Sequence, residues 1–267
     1  MKVSFILLMG LICCGLTACH PANVDSINPE IIAGETAVSP TPSLISTPFP
    51  TPKLTEETFM ITYYQMIMAD GTDLEYGVVL PTNYQEGVTY PILLALPPGP
   101  QTKSMVYFGI DGYWGHEAQS RGWIVISPIA PNGNLFFRES GKYIPEFLDR
   151  IEAIYSPKGD KFYIGGVSNG GISAFHLAID QPNRFQKIVV LPGFPQQAYF
   201  EQLEKISHIP VYMFVGEEDR DWVAQMEKTE GELNRLGGQV FLEVAPNEGH
   251  VLHSLTGQRL FDILEAD

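Results

Sequence analysis

Apolar and polar positions follow two alternating patterns from residue 59 onward. Short apolar runs bounded by proline or glycine, such as Ile92–Leu96, are typical of strands buried on both faces of a sheet. Longer segments repeat their apolar residues at helical spacing, and Ile144–Ile154 places Phe147, Leu148 and Ile151 on one face. The strand pattern occurs eight times: Phe59–Met68, Leu74–Leu80, Ile92–Leu96, Trp123–Ile126, Phe162–Gly166, Ile188–Leu191, Val211–Val215 and Val240–Val244.

Helices are predicted between most of these strands. The first two strands are expected to form an antiparallel pair, because only a short Gly-containing turn separates them. The alternation predicts an α/β fold with right-handed crossovers and a mostly parallel sheet. The predicted helices are Tyr113–Arg121, Ile144–Ile154, Gly170–Ile179, Tyr199–Ile206, Trp222–Leu236 and Leu255–Leu264.

The N-terminus has the layout of an export signal. Lys2 precedes the apolar run Val3–Ala18, whose 16 residues fall short of the roughly 20 that a membrane-spanning helix needs. The segment Leu16-Thr17-Ala18-Cys19 resembles the bacterial lipobox, which implies that residues 1–18 are a signal peptide and that Cys19 is acylated. We therefore expect an exported lipoprotein that faces the extracytoplasmic side and meets the membrane through its lipid only. A simple secretory signal or an uncleaved anchor is the alternative.

Residues 19–56 lack apolar periodicity. Their prolines alternate with Ser and Thr in the stretch SPTPSLISTPFPTPK, which cannot bury enough apolar surface to fold and is kept extended by proline. We expect a disordered tether over 19–56 and a folded domain over 57–267.

Charge and cysteine content exclude several function classes. The chain has 16 basic and 31 acidic residues, a net charge of −15, which argues against binding to nucleic acid and to anionic lipid surfaces. Its cysteines, Cys13, Cys14 and Cys19, precede the predicted domain, which therefore has no disulfide, thiol nucleophile or Cys-based metal site.

A nucleophile motif lies between a predicted strand and a predicted helix. Gly166-Val167-Ser168-Asn169-Gly170 matches G-x-S-x-G, in which glycines permit the sharp turn that projects the serine hydroxyl. An ordinary glycine-rich turn is the alternative, but the strand-to-helix context favours Ser168 as a nucleophile.

A serine hydroxyl needs a general base, and the base needs a supporting acid. His250 follows the last strand beside Gly249 and is favoured as the base, with His253 in reserve. The acid is expected after strand Val211–Val215, where Asp219 is favoured over Asp221, and Glu217 and Glu218 rank behind them. The order Ser168, Asp219, His250 along the chain is that of the α/β-hydrolases.

The tetrahedral intermediate of acyl transfer needs backbone N–H donors. Asn169, directly after the serine, is expected to supply one of them. The other is expected from the loop after Ile92–Leu96, where Pro97, Pro98 and Pro100 have no N–H, so Gly99 and Gln101 both stay open.

These residues together resemble the α/β-hydrolase superfamily from Phe59 to the C-terminus. The segments Gly165–Gly171 and Pro182-Asn183-Arg184-Phe185 look like polyhydroxybutyrate-depolymerase, feruloyl-esterase and carboxylesterase members. The resemblance implies the α/β-hydrolase fold, a mostly parallel eight-stranded sheet with helices on both faces, together with an acyl-enzyme mechanism, no metal and no cofactor. The chain between strands Ile188–Leu191 and Val211–Val215 is short, which implies no large cap. The usual His-Gly-Gly pattern at the second oxyanion donor is absent.

We therefore expect a serine esterase acting on small-molecule or polymer esters. Trp114, Phe194 and Trp222 lie near predicted loop tips and are candidate substrate contacts, with core packing as the alternative for each. A prolyl-oligopeptidase-like peptidase and a non-catalytic binding lipoprotein on the same fold are the competing functions. The first usually carries an added propeller domain, for which this chain has no room.

Overall fold

Nine strands form a single sheet in the computed structural model, which describes residues 49–58 and 60–266. Their spatial order is β1-β2-β3-β5-β4-β6-β7-β8-β9. Strands β1, β2, β3 and β5 pair antiparallel in that order, and the pairs from β5 to β9 are parallel. The strands are β1 Lys53–Glu57, β2 Thr62–Ile67, β3 Asp73–Val79, β4 Ile92–Leu96, β5 Ile124–Pro128, β6 Phe162–Gly166, β7 Phe185–Val190, β8 Val211–Gly216 and β9 Val240–Ala245.

Helices cover both faces of the sheet. They are α1 Lys103–Gly109, α2 Gly115–Arg121, α3 Ile144–Tyr155, α4 Asn169–Asp180, α5 Gln197–Phe200, α6 Arg220–Arg235 and α7 Gly257–Glu265. One core contains side chains of α3, α4 and α6, and the core on the opposite face contains side chains of α1, α2 and α7. Strand β4 contributes Leu94 to the first core and Leu93 to the second, which explains its continuous apolar run.

The first strand corrects two predictions. The sheet has nine strands rather than eight, and Lys53–Glu56, assigned to the tether, belongs to β1. All five residues of β1 are exposed, so no apolar pattern marks the strand. Backbone pairing to β2 holds it at the sheet edge, and Lys103 bridges Glu56 and Glu75 at 2.7 Å each.

The helical segment after β4 is longer than expected. It begins at Lys103 in α1, passes through a π-helical turn at Ile110–Trp114 and ends in α2 at Arg121. The prediction placed its start at Tyr113.

The N-terminal predictions lie outside the described residues. They are the signal peptide over 1–18, the acylated Cys19 and the tether as far as residue 48. Among residues 49–58 and 60–266, no helix is both long enough and apolar enough to cross a bilayer.

The direction in which successive strands are added to the sheet reverses at β4. Strand β4 lies between β5 and β6, its immediate successors in sequence. The connections leaving β4 and β6 therefore pass to opposite faces and leave a crevice between their carboxyl ends, the usual place for a ligand site in such sheets.

Candidate active site

Ser168 lies in this crevice, on the turn between β6 and α4. Its backbone has φ 57° and ψ −118°, a conformation that is rare for a residue with a side chain and is typical of strained functional turns. The Ser168 N–H donates to the Pro192 carbonyl at 3.0 Å, which fixes the turn to the segment after β7. The side chain is half-buried.

Gly170 explains part of the motif around this serine. A Cβ atom at this position would lie 2.1 Å from the Leu96 carbonyl oxygen at the end of β4. No side chain fits there, so the glycine lets the first turn of α4 lie directly on β4.

A chain of two hydrogen bonds joins Ser168, His250 and Asp219. His250 lies on the loop between β9 and α7, and its Nε2 is 2.7 Å from the Ser168 hydroxyl. Its Nδ1 is 2.5 Å from Oδ2 of Asp219, which follows β8. Because a carboxylate can only accept, Nδ1 carries the proton and Nε2 accepts from the serine hydroxyl. The His250 side chain is 41% exposed, so a substrate can reach it from solvent.

The competing residues lie outside this chain of hydrogen bonds. His253 is exposed on the following loop, and Asp221 is exposed in the first turn of α6. Glu217 accepts from the Asn247 N–H at 3.1 Å, and the Glu218 side chain is exposed. The structure therefore brings together the three residues favoured from the sequence.

Backbone contacts fasten the loop after β8 to the loop after β9. The Glu217 N–H donates to the Ala245 carbonyl at 2.9 Å, and the Glu218 N–H donates to the Glu248 carbonyl at 2.9 Å. The distance between Asp219 and His250 is thus set by direct contacts between their own loops.

Two of the three predicted oxyanion donors remain available. The N–H of Gln101 donates to the Pro98 carbonyl at 3.0 Å and closes a turn, so its prediction as a donor is wrong. The N–H groups of Gly99 and Asn169 have no hydrogen-bond acceptor among the described residues. Asn169 Nδ2 donates to the Gly99 carbonyl at 2.9 Å, which links the two segments at the N-terminus of α4. The positive end of that helix dipole favours an anion here.

The three candidate aromatic residues separate into two groups. Trp114 is 1% exposed and packs in the core beneath the sheet, so the prediction that it contacts substrate is wrong. Trp222 and His250 have ring centroids 4.8 Å apart. Phe194 lies edge-on to Trp222, also at 4.8 Å. These two half-buried rings form an apolar wall beside His250.

An apolar groove of about 350 Å³ is lined in part by the residues that follow His250. Its lining includes Phe108, Val251, Leu252 and Leu255. Within the part of the chain that the structure describes, no cluster of three His, Cys, Asp or Glu side chains could hold a metal ion.

Sequence reasoning missed two supports of the site. The Pro192 carbonyl that fixes Ser168 belongs to a loop with no recognisable motif. The buried side chain of Gln101, considered only for its backbone, contacts Ser173 and the backbone of Phe136. Neither contact has a signal in residue spacing.

Comparison with known proteins shows the fold. No protein-family model and no curated protein matches the chain. An S-formylglutathione hydrolase from Agrobacterium tumefaciens superposes with a TM-score of 0.61 at 14% identity, over 81% of this chain and 98% of that one.

Two larger solved structures also match. A thermostable esterase superposes with a TM-score of 0.57 at 18% identity, over 70% of this chain. A putative dipeptidyl aminopeptidase IV from Bacteroides ovatus superposes with a TM-score of 0.60 at 17% identity, over 75% of this chain. The matched region spans 55% of the esterase and 34% of the aminopeptidase. The chain has the α/β-hydrolase fold, with a mostly parallel sheet and helices on both faces.

Proposed function

We propose that this protein is a serine esterase that cleaves carboxylic esters through an acyl-enzyme intermediate. The observation that carries the proposal is the continuous hydrogen-bond chain from Ser168 Oγ to His250 Nε2, at 2.7 Å, and from His250 Nδ1 to Asp219, at 2.5 Å. A hydroxyl, an imidazole and a carboxylate in this order form an activated nucleophile.

In the first half-reaction, Ser168 Oγ attacks the ester carbonyl carbon while His250 Nε2 takes the hydroxyl proton. Asp219 stabilises the imidazolium that forms. The N–H groups of Asn169 and Gly99 stabilise the negative oxygen of the tetrahedral intermediate. His250 then gives its proton to the departing alcohol, which leaves Ser168 acylated.

In the second half-reaction, water replaces the alcohol. His250 removes a proton from the water, and the hydroxide attacks the acyl carbon. The tetrahedral intermediate collapses to release the acid, and Ser168 Oγ recovers its proton from His250. The exposure of His250 gives water a route to the acyl-enzyme.

The wall of Phe194 and Trp222 supports an apolar group on the substrate. Both rings are half-buried and lie in a row that ends at His250, with centroid spacings of 4.8 Å. We assign them to the acyl or alcohol part of a small-molecule or polymer ester, because aromatic rings bind apolar groups by area burial.

The test is hydrolysis of p-nitrophenyl esters from acetate to palmitate by the full chain, with Ser168→Ala assayed in parallel. Removing the nucleophile should lower kcat on the order of 10⁴- to 10⁶-fold. The acyl chain length that is hydrolysed fastest then indicates the size of the apolar site. Activity that survives in Ser168→Ala would reject Ser168 as the nucleophile.

A peptidase is the second candidate, because the putative dipeptidyl aminopeptidase IV has the same fold around the matched region, at a TM-score of 0.60. Aminoacyl esters and the corresponding amides separate the two functions. An esterase should turn over the esters only, whereas a peptidase should cleave both. Labelling of Ser168 by a fluorophosphonate probe without turnover of either would point to a substrate outside both panels, and no labelling would favour a non-catalytic binding lipoprotein.

We also propose that the chain is exported and anchored to the membrane through acylated Cys19, with its active site on the extracytoplasmic side. The support is the lipobox-like segment Leu16–Cys19. Metabolic labelling with an alkyne fatty acid should mark the wild-type chain and not Cys19→Ala. Equal labelling of both chains would reject Cys19 as the acylated residue.

A further inference from the structure

Gln101 has an unusual place beside the proposed oxyanion donors. It lies between the proline-rich turn after β4 and α1, and it is fully buried at 0% exposure. Its φ of 54° is in the left-handed region, where a residue other than glycine is uncommon. A buried amide in a strained backbone persists only where its surroundings hold it firmly.

Four hydrogen bonds hold Gln101. Its backbone N–H donates to the Pro98 carbonyl at 3.0 Å, and its carbonyl accepts from the Ala130 N–H at 2.9 Å. Its Oε1 accepts from the Phe136 N–H at 2.8 Å, and its Nε2 donates to Ser173 Oγ at 3.0 Å. The side chain therefore connects the turn after β4 both to α4 and to the segment after β5.

The contact with Ser173 continues into a closed ring. Ser173 Oγ donates to the Asn169 carbonyl at 2.8 Å, and Asn169 Nδ2 donates to the Gly99 carbonyl at 2.9 Å. Gly99 precedes Gln101 by two residues, so the ring returns to the turn from which it started. Both residues assigned as oxyanion donors, Gly99 and Asn169, are members of the ring.

We propose that Gln101 is a positioning residue that fixes the Gly99 N–H relative to the Asn169 N–H. This inference rests on the proposed esterase function. Donors aimed at a developing oxyanion act through their position, and a displacement of about 1 Å can cost roughly 100-fold in rate. Among the described residues, no hydrogen bond joins the ring to Asp219 or His250, which contact each other and Ser168 directly, so the activation of Ser168 is assigned to those two residues.

The test compares Gln101→Met, Ser173→Ala and the double variant with the full-length wild type. Methionine keeps the length of the side chain and removes both of its hydrogen bonds. We expect kcat for a p-nitrophenyl ester to fall about 10- to 100-fold in each single variant, with KM within about threefold. Because both residues act through one ring, the kcat of the double variant should be only slightly below that of the less active single variant.

A transition-state analogue gives a readout that general destabilisation would not move. The affinity for an aryl trifluoromethyl ketone, which forms an oxyanion on Ser168, should fall in proportion to kcat/KM. Gln186→Met is the matched control, because Gln186 Nε2 makes one hydrogen bond, 3.2 Å to the Lys161 carbonyl, at the amino end of β7. It should keep both the kcat and the analogue affinity of the wild type.

Three outcomes would overturn the inference. The first is a folded Gln101→Met with wild-type kcat and analogue affinity, and the second is a rise in KM at constant kcat. The third is loss of the folded state in both single variants, which would make the ring a folding element only. If the wild type itself cleaves no ester, the proposed function has failed, a result that the wild-type assay distinguishes from the other three.

Discussion

The stability of the fold depends on pH through one buried side chain, that of His176. This residue of α4 is 2% exposed, its Nε2 accepts from the Gln196 N–H at 3.2 Å, and its ring stacks on Tyr199 at 3.6 Å. Burial lowers the pKa of His176 from its ordinary value of 6.5 to about 4. A protonated Nε2 would also lose its ability to accept from Gln196.

The unfolded chain therefore binds a proton at His176 at a higher pH than the folded chain does. Stability from the neutral ring is complete above pH 6.5 and is lost as the pH falls toward 4, by up to about 3 kcal/mol. The free energy of unfolding, measured in urea between these pH values, should fall with pH in the wild type. It should fall less steeply in His176→Phe, which keeps an aromatic ring against Tyr199. Parallel curves for the two proteins would contradict the assignment.

Single residues differ in how well the sequence identifies them. Each of Ser168, Asp219 and His250 occupies a recognisable place relative to a strand end, so the sequence predicts that they meet, and hydrogen bonds join them in the structure. Trp114 was assigned wrongly because an aromatic residue near a loop end has the same pattern whether it faces the core or the solvent. The ring through Gln101 depends on a contact across 72 residues, which no local spacing predicts.

The loops after β8 and β9 meet at a glycine. A Cβ atom at Gly216, the last residue of β8, would lie 2.1 Å from the Gly249 carbonyl and 2.3 Å from the Glu248 carbonyl. These carbonyls belong to the two residues that precede His250 in the loop. Gly216→Ala should push this loop away and lower kcat about 100-fold, with a loss of about 1–3 kcal/mol in stability.

Gly231→Ala is the matched control for Gly216→Ala. Gly231 lies on the exposed side of α6, with open space around a Cβ atom. Alanine there should leave kcat unchanged and stabilise the helix by up to about 1 kcal/mol. Steady-state kinetics and thermal unfolding of both variants check the expectation, and wild-type kcat in Gly216→Ala would show that the His250 loop tolerates the displacement.

Elements with a buried apolar face were predicted well, and elements with few buried residues were not. Strands β4 and β6 were predicted with their observed ends because each is a buried run with a sharp boundary. Strand β1 was missed because all of its residues are exposed. Helix α1 was missed because only Val106 and Gly109 are buried on its seven residues, which is too few to produce a periodic pattern.

Across the whole chain, the alternation of patterns was sufficient for the class of fold and for its mostly parallel sheet. The spatial order of the strands comes from pairing between distant segments, such as β4 with β6, which the pattern of one chain does not contain. The excess of acidic residues does bear on function, because the field of a whole molecule acts on a charged substrate before contact.

That field gives a prediction for substrate charge. The net charge is −15, and the exposed residues Glu217, Glu218 and Asp221 surround Asp219 in sequence. Two like charges about 4 Å apart in water repel by about 1 kcal/mol, so kcat/KM for an anionic hemisuccinate ester should be about fivefold below that of the neutral butyrate ester. The difference should shrink between about 0.01 M and about 1 M salt, as the Debye length falls from about 30 Å to about 3 Å.

Charge removal near the site tests whether the effect is local. Glu218→Gln with Asp221→Asn should narrow the difference between the two esters at low salt. Asp160→Asn with Glu204→Gln removes the same charge from exposed positions before the amino ends of β6 and β8, at the opposite end of the strands from Asp219, and should change the difference between the two esters little. If both double variants narrow the difference between the esters equally, the discrimination comes from net charge alone. If the difference in kcat/KM persists at high salt, it comes from the shape of the site instead.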